Sequence, residues 1–365
     1  MANYKKISGQ AVKCYDSDPP KAYPSAWEGQ LYYNTSDGQF KYQTLGVGAW
    51  SSGGSLNTGR KSHGSSGTQT ANLVYGGDGP SGNQAITESY NGSSWSEVAD
   101  LNTARRGNPG LGTQTATLQA GGSPTTVIVE SFDGTSWTET TDLNTGRNGG
   151  AGSVGISTAG LIFAGTPGLA VTESWNGSAW TEVADLNEGR ESVSVFGSYT
   201  SAICAGGETP QVDDVESWNG SSWTEVTDMN TNAMLRGGAG SSNSEGIVFG
   251  GSVDPPVTAN TEQWDGSSWT EIAELNTQRF YSSHSGTSTE GYVFGGQPST
   301  KANTEHWNGS SWTEVADLST ARSKMGASPQ SSPDTMFATG GYTTTQIAST
   351  EEWTVSHTLK KVTTS

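Results

Sequence analysis

Two charged residue types recur along this chain at matching intervals: Arg60, Arg105, Arg147, Arg190, Arg236, Arg279 and Arg322, and Glu88, Glu130, Glu173, Glu216, Glu262, Glu305 and Glu351. A guanidinium and a carboxylate held in a fixed relation make a charge-assisted pair. A catalytic centre needs one asymmetric set of groups with displaced pKa values, so seven equal pairs read as architecture, a structural ion-pair ring. Beyond them the chain carries four histidines, His63, His284, His306 and His357, and two cysteines, Cys14 and Cys204. No Ser/His/Asp set, no paired carboxylates and no zinc or disulfide spacing stand out, so catalytic residues, a metal and a cofactor are all expected to be absent. Cys204 reads as a small buried apolar residue. No Asp-x-Asp-x-Asp-Gly calcium loop occurs either.

The elements that position these charges follow from a repeat. Close copies of Glu173-Ser-Trp-Asn-Gly-Ser-Ala-Trp-Thr-Glu-Val-Ala-Asp-Leu-Asn187 run along the chain, and the second tryptophan falls at Trp50, Trp95, Trp137, Trp180, Trp223, Trp269 and Trp312, a spacing of 42–46 residues. Such a period identifies a solenoid, propeller or array. Residues 190–229 show the parts: Arg190 opens one segment, Ser201-Ala-Ile-Cys-Ala-Gly-Gly207 is an apolar run stopped by glycines, a loop follows, and Val215-Glu-Ser-Trp218 turns through Asn219-Gly220 into Trp223. Four short strands per repeat is the spacing of a propeller blade. Arginine and glutamate then sit on the first and third strands, about 10 Å apart, and the glycine doublet between them leaves no Cβ in the way. The two tryptophans flanking each turn are expected opposite one another as a stacked cross-strand pair. Asn-Gly and Asp-Gly in those turns suit the positive φ angles of tight hairpins, which explains the Asn-x-Ser triplets without glycosylation. Glu97, Glu139, Glu182, Glu225, Glu271 and Glu314 fall on the outermost strand, where charge discourages edge pairing between molecules.

The glycine doublets at residues 76, 121, 206, 250, 295 and 340, with Ala164-Gly165 as the one departure, the third-strand aromatics Tyr90, Phe132, Trp175, Trp218, Trp264, Trp307 and Trp353, and the fourth-strand tryptophan together resemble the kelch family of β-propellers. The resemblance covers roughly residues 45–355 and implies an all-β, seven-bladed propeller of four-stranded blades. The last unit lacks its own tryptophan strand, and residues 46–52 form a tryptophan strand with no three strands ahead of it. Pairing the two would close the ring through an N-terminal strand. The resemblance also raises a kelch-type copper oxidase, whose metal is held by tyrosines and histidines with one tyrosine linked to cysteine. His63 and His284 follow ring arginines and could point the same way, yet no cysteine accompanies them in that pattern. A non-enzymatic protein is the stronger expectation, with an intracellular kelch-type interaction scaffold as another alternative.

Apolar residues make up only 31 %, glycine fills 50 positions, and periodic placement of 13 tryptophans is what argues for a packed core. A net charge of −18, from 36 acidic and 18 basic residues, disfavours nucleic acid and anionic lipid as partners. The start of the chain has no apolar run behind its positive charges, and no stretch is long enough to span a membrane, so neither secretion nor insertion is expected.

Residues 1–44 read as a separate segment: an extended arm with Pro19, Pro20 and Pro24, then two aromatic strands joined through Asp37-Gly38 as a β-hairpin. The organisation is therefore an arm and hairpin over 1–44, a propeller over 45–355 and a tail over 356–365. The segment Glu28-Gly-Gln-Leu-Tyr-Tyr-Asn-Thr-Ser-Asp-Gly38 resembles short hairpins of marine phage tail-fibre and other virion proteins. That implies a virion appendage, a tail fibre or decoration protein that docks by residues 1–44 on other virion proteins beside copies of itself. The loops between second and third strands, 78–85, 123–126, 166–170, 208–214, 252–260, 297–303 and 342–349, differ in every unit. Differing loops on a constant scaffold are where recognition is expected, of a host-surface glycan or receptor, through Asp78, Gln84, Thr125, Glu208, Asp213, Asp254, Asn260, Lys301, Asn303 and Tyr342.

Overall fold

A computed structural model describes residues 12–18, 31–107, 110–253, 256–328 and 334–362, and every regular element among them is a β-strand. The chain divides into two compact units, Trp50–Trp353 and the two ends together, Met1–Ala49 with Thr354–Ser365. Among the described residues no helix is long and apolar enough to cross a membrane.

Among the described residues the larger unit is a succession of six four-stranded antiparallel sheets, one per repeat, followed by a three-stranded sheet in the last repeat. In the specimen repeat, Ser194–Ser198, Ser201–Gly207, Val212–Trp218 and Trp223–Glu225 lie side by side in chain order. The turn between the last two is locally determined: the Asn219 side-chain oxygen accepts from the backbone N–H of Ser221 and Ser222, and Gly220 takes φ +94°. That turn sets Trp218 opposite Trp223 with ring centroids 5.4 Å apart. Equivalent pairs meet at Trp175/Trp180, Trp264/Trp269 and Trp307/Trp312, with centroids 5.3, 5.3 and 5.4 Å apart.

The core lies between successive sheets. Phe163 and Leu161 of one sheet pack on Cys204, Trp218 and Trp223 of the next, with the Phe163 and Trp223 rings 4.7 Å apart. Each large aromatic therefore contributes its buried area to a seam between sheets, where tilted and edge-on ring contacts add to transfer from water. The fourth-strand indoles also donate backwards: Trp137 to Thr87, Trp223 to Thr172, Trp312 to Thr261 and Trp50 to Thr304 at 2.9–3.0 Å, and Trp95 to Thr350 at 3.1 Å. Trp180 and Trp269 meet Val129 and Val215 instead, and their indole nitrogens have no partner.

In the last repeat, Thr335–Thr339 and Thr350–Thr354 are joined by Ala49–Ser52, and Trp50 packs on Trp353 with centroids 5.5 Å apart. In place of a first strand, this repeat has, among the described residues, one bridge between Gly326 and Thr339. The last repeat also meets the first: Gly341 N donates to Arg60 O at 2.9 Å, and Ser65 Oγ donates to Ala327 O at 2.6 Å.

In the smaller unit Leu31–Asn34 and Gln39–Leu45 form the hairpin, turning at residues 35–38 with Gly38 at φ +69°. Lys13–Tyr15 adds in parallel on one side and His357–Lys361 antiparallel on the other, giving one four-stranded sheet. Both edges of the hairpin are thus paired within the chain, one by Lys13–Tyr15 and the other by His357–Lys361 from the residues expected as a tail. Asp18 accepts from Lys41, Asn34 and Tyr32, and Lys41 holds its pKa down at about 2. Residues 1–11 and 19–30, most of the expected arm, lie outside the described residues.

Candidate functional site

Each arginine meets the glutamate of its own repeat, with N···O distances of 2.6–2.9 Å and side chains at most 3 % exposed. A charge so buried needs its remaining valences filled. Arg60 Nη1 donates to Ile86 O at 2.8 Å and Arg105 Nη1 to Ile128 O at 2.7 Å. The second carboxylate oxygen is filled from the preceding repeat, by both the backbone and side-chain nitrogens of Asn57, Asn102, Asn144, Asn187, Asn230 and Asn276. Glu351 receives Ser319 N at 2.6 Å. These asparagines were not singled out from sequence, although an asparagine three residues before the arginine recurs in five repeats. Burial pulls the Arg60 guanidinium down to about 10, shifts Arg105, Arg147, Arg279 and Arg322 the same way, and pushes the Glu216 carboxyl up.

The glycine doublet supplies the passage. Both residues take positive φ, for example +66° and +131° at Gly121 and Gly122, and a Cβ on Gly122 would stand 3.2 Å from Arg105 Cβ. Ala164 keeps the same left-handed conformation, φ +58°, despite its side chain. Arg236 departs from the pattern. Met234, not the residue after Arg236, makes the bridge equivalent to that of Arg106 with Ser123, so Ala233 holds the usual arginine place. Arg236, three residues later, still reaches Glu262 at 2.9 Å.

The residue after the arginine pairs with the first residue of the variable loop. The bridges are Lys61 with Asp78, Arg106 with Ser123, Glu191 with Glu208, Met234 with Ser252, Phe280 with Gln297, and Ser323 with Tyr342. The next residue is left-handed at Ser62, Ser192, Leu235, Tyr281 and Lys324, with φ of 50–58°. These residues hydrogen-bond across repeats in two arcs. Gly107 N donates to Ser62 O, Ser62 N to Lys324 O and Lys324 N to Tyr281 O at 3.0–3.3 Å; Leu235 N donates to Ser192 O and Ser192 N to Gly150 O at 3.0 and 2.9 Å.

Of the expected loop residues, Asp78 and Tyr342 are brought together through Lys61, whose Nζ is 3.4 Å from Asp78 Oδ2 and 4.2 Å from the Tyr342 ring centre. Glu208 accepts from Ser192 Oγ at 2.6 Å, at the start of its loop. Asn260 and Asn303 donate to Glu271 and Glu314 at 2.9 and 3.0 Å and are committed to the scaffold. Gln84 and Lys301 lend their carbonyls to Arg105 and Arg322 of the following repeat, and Asp213 lends its own to Met229, at 2.9–3.1 Å. Thr125 is exposed, and Asp254 lies outside the described residues. Lys61, Arg106, Tyr281 and Lys324 were missed from sequence, because nothing in their own repeats marks them.

First strands of six repeats line one cavity of about 450 Å³, which His63 and His284 both enter among Ser65, Ser153, Ser285 and glycines. His63 Nε2 lies 3.2 Å from Thr339 O, and burial draws its pKa down to about 4. Cys204 is buried between two sheets, its thiol pushed up to about 11 by desolvation. Among the described residues no group of three or more His, Cys, Asp or Glu could hold a metal ion. No protein-family model matches the chain, and no curated protein matches it in sequence.

Proposed function

We propose that the chain is a non-enzymatic binding module, a seven-bladed, kelch-like β-propeller closed by Ala49–Ser52, that recognises a surface glycan through its variable loops. The observation that carries this reading is the division of labour within each repeat. The constant arginine and glutamate are buried and hydrogen-bonded to one another, with the exposed asparagine holding the glutamate from outside, whereas the varying loop residues Asp78, Glu208 and Tyr342 join the left-handed arcs beside them. A rigid scaffold that holds unlike loops together is suited to selective binding. The resemblance of residues 28–38 to virion hairpins supports a setting in a phage particle, as a tail fibre or decoration protein beside copies of itself, with residues 1–44 docking on other virion proteins. The hairpin edges being occupied, docking would use the outer edges of Lys13–Tyr15 and His357–Lys361.

Two measurements test the two halves. Full-length protein screened on an array of bacterial surface polysaccharides is expected to bind a narrow set. Uniform silence there, with capture of one cytosolic protein partner instead, would replace glycan recognition by the scaffold alternative. Mass spectrometry of purified virions is expected to find the protein at fixed copy number. Its absence from particles would remove the virion setting.

A further inference from the structure

Outside the seven buried pairs, the larger unit contains four cations, Lys61, Arg106, Lys301 and Lys324, in a protein of net charge −18. Three of the four come together. Lys61 and Arg106 flank Asp78 Oδ2 at 3.4 and 3.0 Å. Lys324 is joined to them through its carbonyl, which accepts from Ser62 N at 3.0 Å, and its Nζ stands 4.2 Å from the Tyr281 ring centre. Tyr342, under Lys61, makes the matching contact at 4.2 Å. Among the described residues Asp78 is the carboxylate that pairs with Lys61 and Arg106, and Glu208 acts on Tyr281, so the three cations outnumber the carboxylates around them. Burial, and after it the repulsion of Lys61 and Arg106, hold the Lys324 ammonium below its ordinary value, as an uncompensated cation would be.

The cluster is held on backbone rather than on flexible side chains alone. Lys61 and Asp78 exchange backbone hydrogen bonds at 3.0 and 2.8 Å, and Lys324 and Tyr281 take left-handed φ of 52° and 50°, a conformation that non-glycine residues avoid. It is also reachable, with the Arg106 side chain 41 % and Tyr281 38 % exposed. A cavity of about 200 Å³ opens beside Tyr281, bordered by Ser192, Ser282 and His284.

We infer that Lys61, Arg106 and Lys324, with Tyr281 and Tyr342, form a subsite for a carboxylated or sulfated sugar residue of the bound glycan. This rests on the glycan-binding reading and narrows it to an acidic saccharide. The guanidinium supplies the planar fork that suits carboxylate and sulfate, and the lysines supply point charge. A long polyanion is disfavoured, because the rest of the molecule repels it. Each tyrosine, with a lysine ammonium over its ring, combines apolar ring and hydroxyl, the mixture of apolar and hydrogen-bonding surface that a sugar ring offers in return.

The test is calorimetric titration of full-length protein with oligogalacturonate, a sulfated chondroitin oligosaccharide, a neutral cello-oligosaccharide, inorganic sulfate and an oligoglutamate peptide. At least one acidic oligosaccharide is expected to bind, more weakly as salt rises, and which one tells carboxylate from sulfate. The variant carrying Lys61→Gln, Arg106→Gln and Lys324→Gln is expected to lose at least ~10-fold in affinity, the step that 1.4 kcal/mol represents. Melting curves check the fold, and Lys324→Gln alone serves if the triple variant unfolds. Neutral and acidic saccharides binding alike, or undiminished binding by the triple variant, would overturn the subsite and leave glycan recognition standing. Sulfate or oligoglutamate binding as tightly as any saccharide would overturn the sugar assignment. If no saccharide of either class binds, both readings fall.

Discussion

The indole N–H of Trp223 ends on Thr172, whereas that of Trp269 has no partner, and the fully buried Val215 of the same core cluster holds the place that Thr172 has in its own repeat. A buried donor without a partner costs about 1–3 kcal/mol, more than the roughly 0.8 kcal/mol lost when one methyl gives way to a hydroxyl. Val215→Thr should therefore stabilise the protein by about 1 kcal/mol, although the same change in an ordinary core destabilises. Thr172→Val should cost about 1–3 kcal/mol. Thermal melts of the two variants decide it, and a lower melting temperature for Val215→Thr would mean that the indole is satisfied elsewhere. Glu216 poses the opposite case. Its loss strands Arg190 and the nitrogens of Asn187 that share its carboxylate, so Glu216→Ala should destabilise by about 3–5 kcal/mol. Glycan binding should survive at a temperature where the variant is folded; lost binding with an unchanged melt would make these pairs part of the binding surface.

At the scale of elements, the strand Ala49–Ser52 is the exchangeable part. It stands in the last sheet where the other repeats have their own tryptophan strand, bringing Trp50 against Trp353 and its indole to Thr304 at 2.9 Å. Removing a buried tryptophan alone costs about 3–5 kcal/mol. Here the edge of Thr350–Thr354 would also lose its neighbour. A chain beginning at residue 56 is expected to melt lower and over a broader range than the full protein, followed by near-ultraviolet circular dichroism of the tryptophans. Equal and equally sharp melting would show that the last sheet does not depend on this strand.

For the molecule as a whole, acid is the condition to which the fold is most exposed. His63 borders the cavity of about 450 Å³, and burial followed by the charge of Arg60 lowers its pKa from 6.5 to about 4; His284, across the same cavity, shifts in the same direction. The unfolded chain accepts a proton near pH 6.5 and the folded one only near pH 4, so unfolding takes up protons in that window and stability falls as pH falls through it. Each such group steepens the loss by up to about 1.4 kcal/mol per pH unit. His63→Gln should flatten the fall of melting temperature between pH 6.5 and 4 without moving the neutral value greatly. An unchanged slope would place the acid sensitivity in other groups.

Periodicity alone placed the strands, the turns, the tryptophan pairs and the seven arginines and glutamates, because each depends on residues within one repeat and each repeat solves the same local problem. The asparagine that fills each glutamate was legible in the same repeat but belongs to the neighbouring sheet, and only packing of one sheet on the next gives it that role. Arg236 shows how far side-chain reach can absorb an irregularity: the backbone places Ala233 where the arginine should be, yet the long side chain finds the same carboxylate. The pairing of His357–Lys361 with the hairpin could not be read from either segment, since edge strands choose partners by proximity rather than by pattern. The same holds for Lys61, Arg106 and Lys324. Charge and type are written in the sequence, but the first and last repeats become neighbours only in the folded chain, and it is this contact that turns three scattered cations into a cluster.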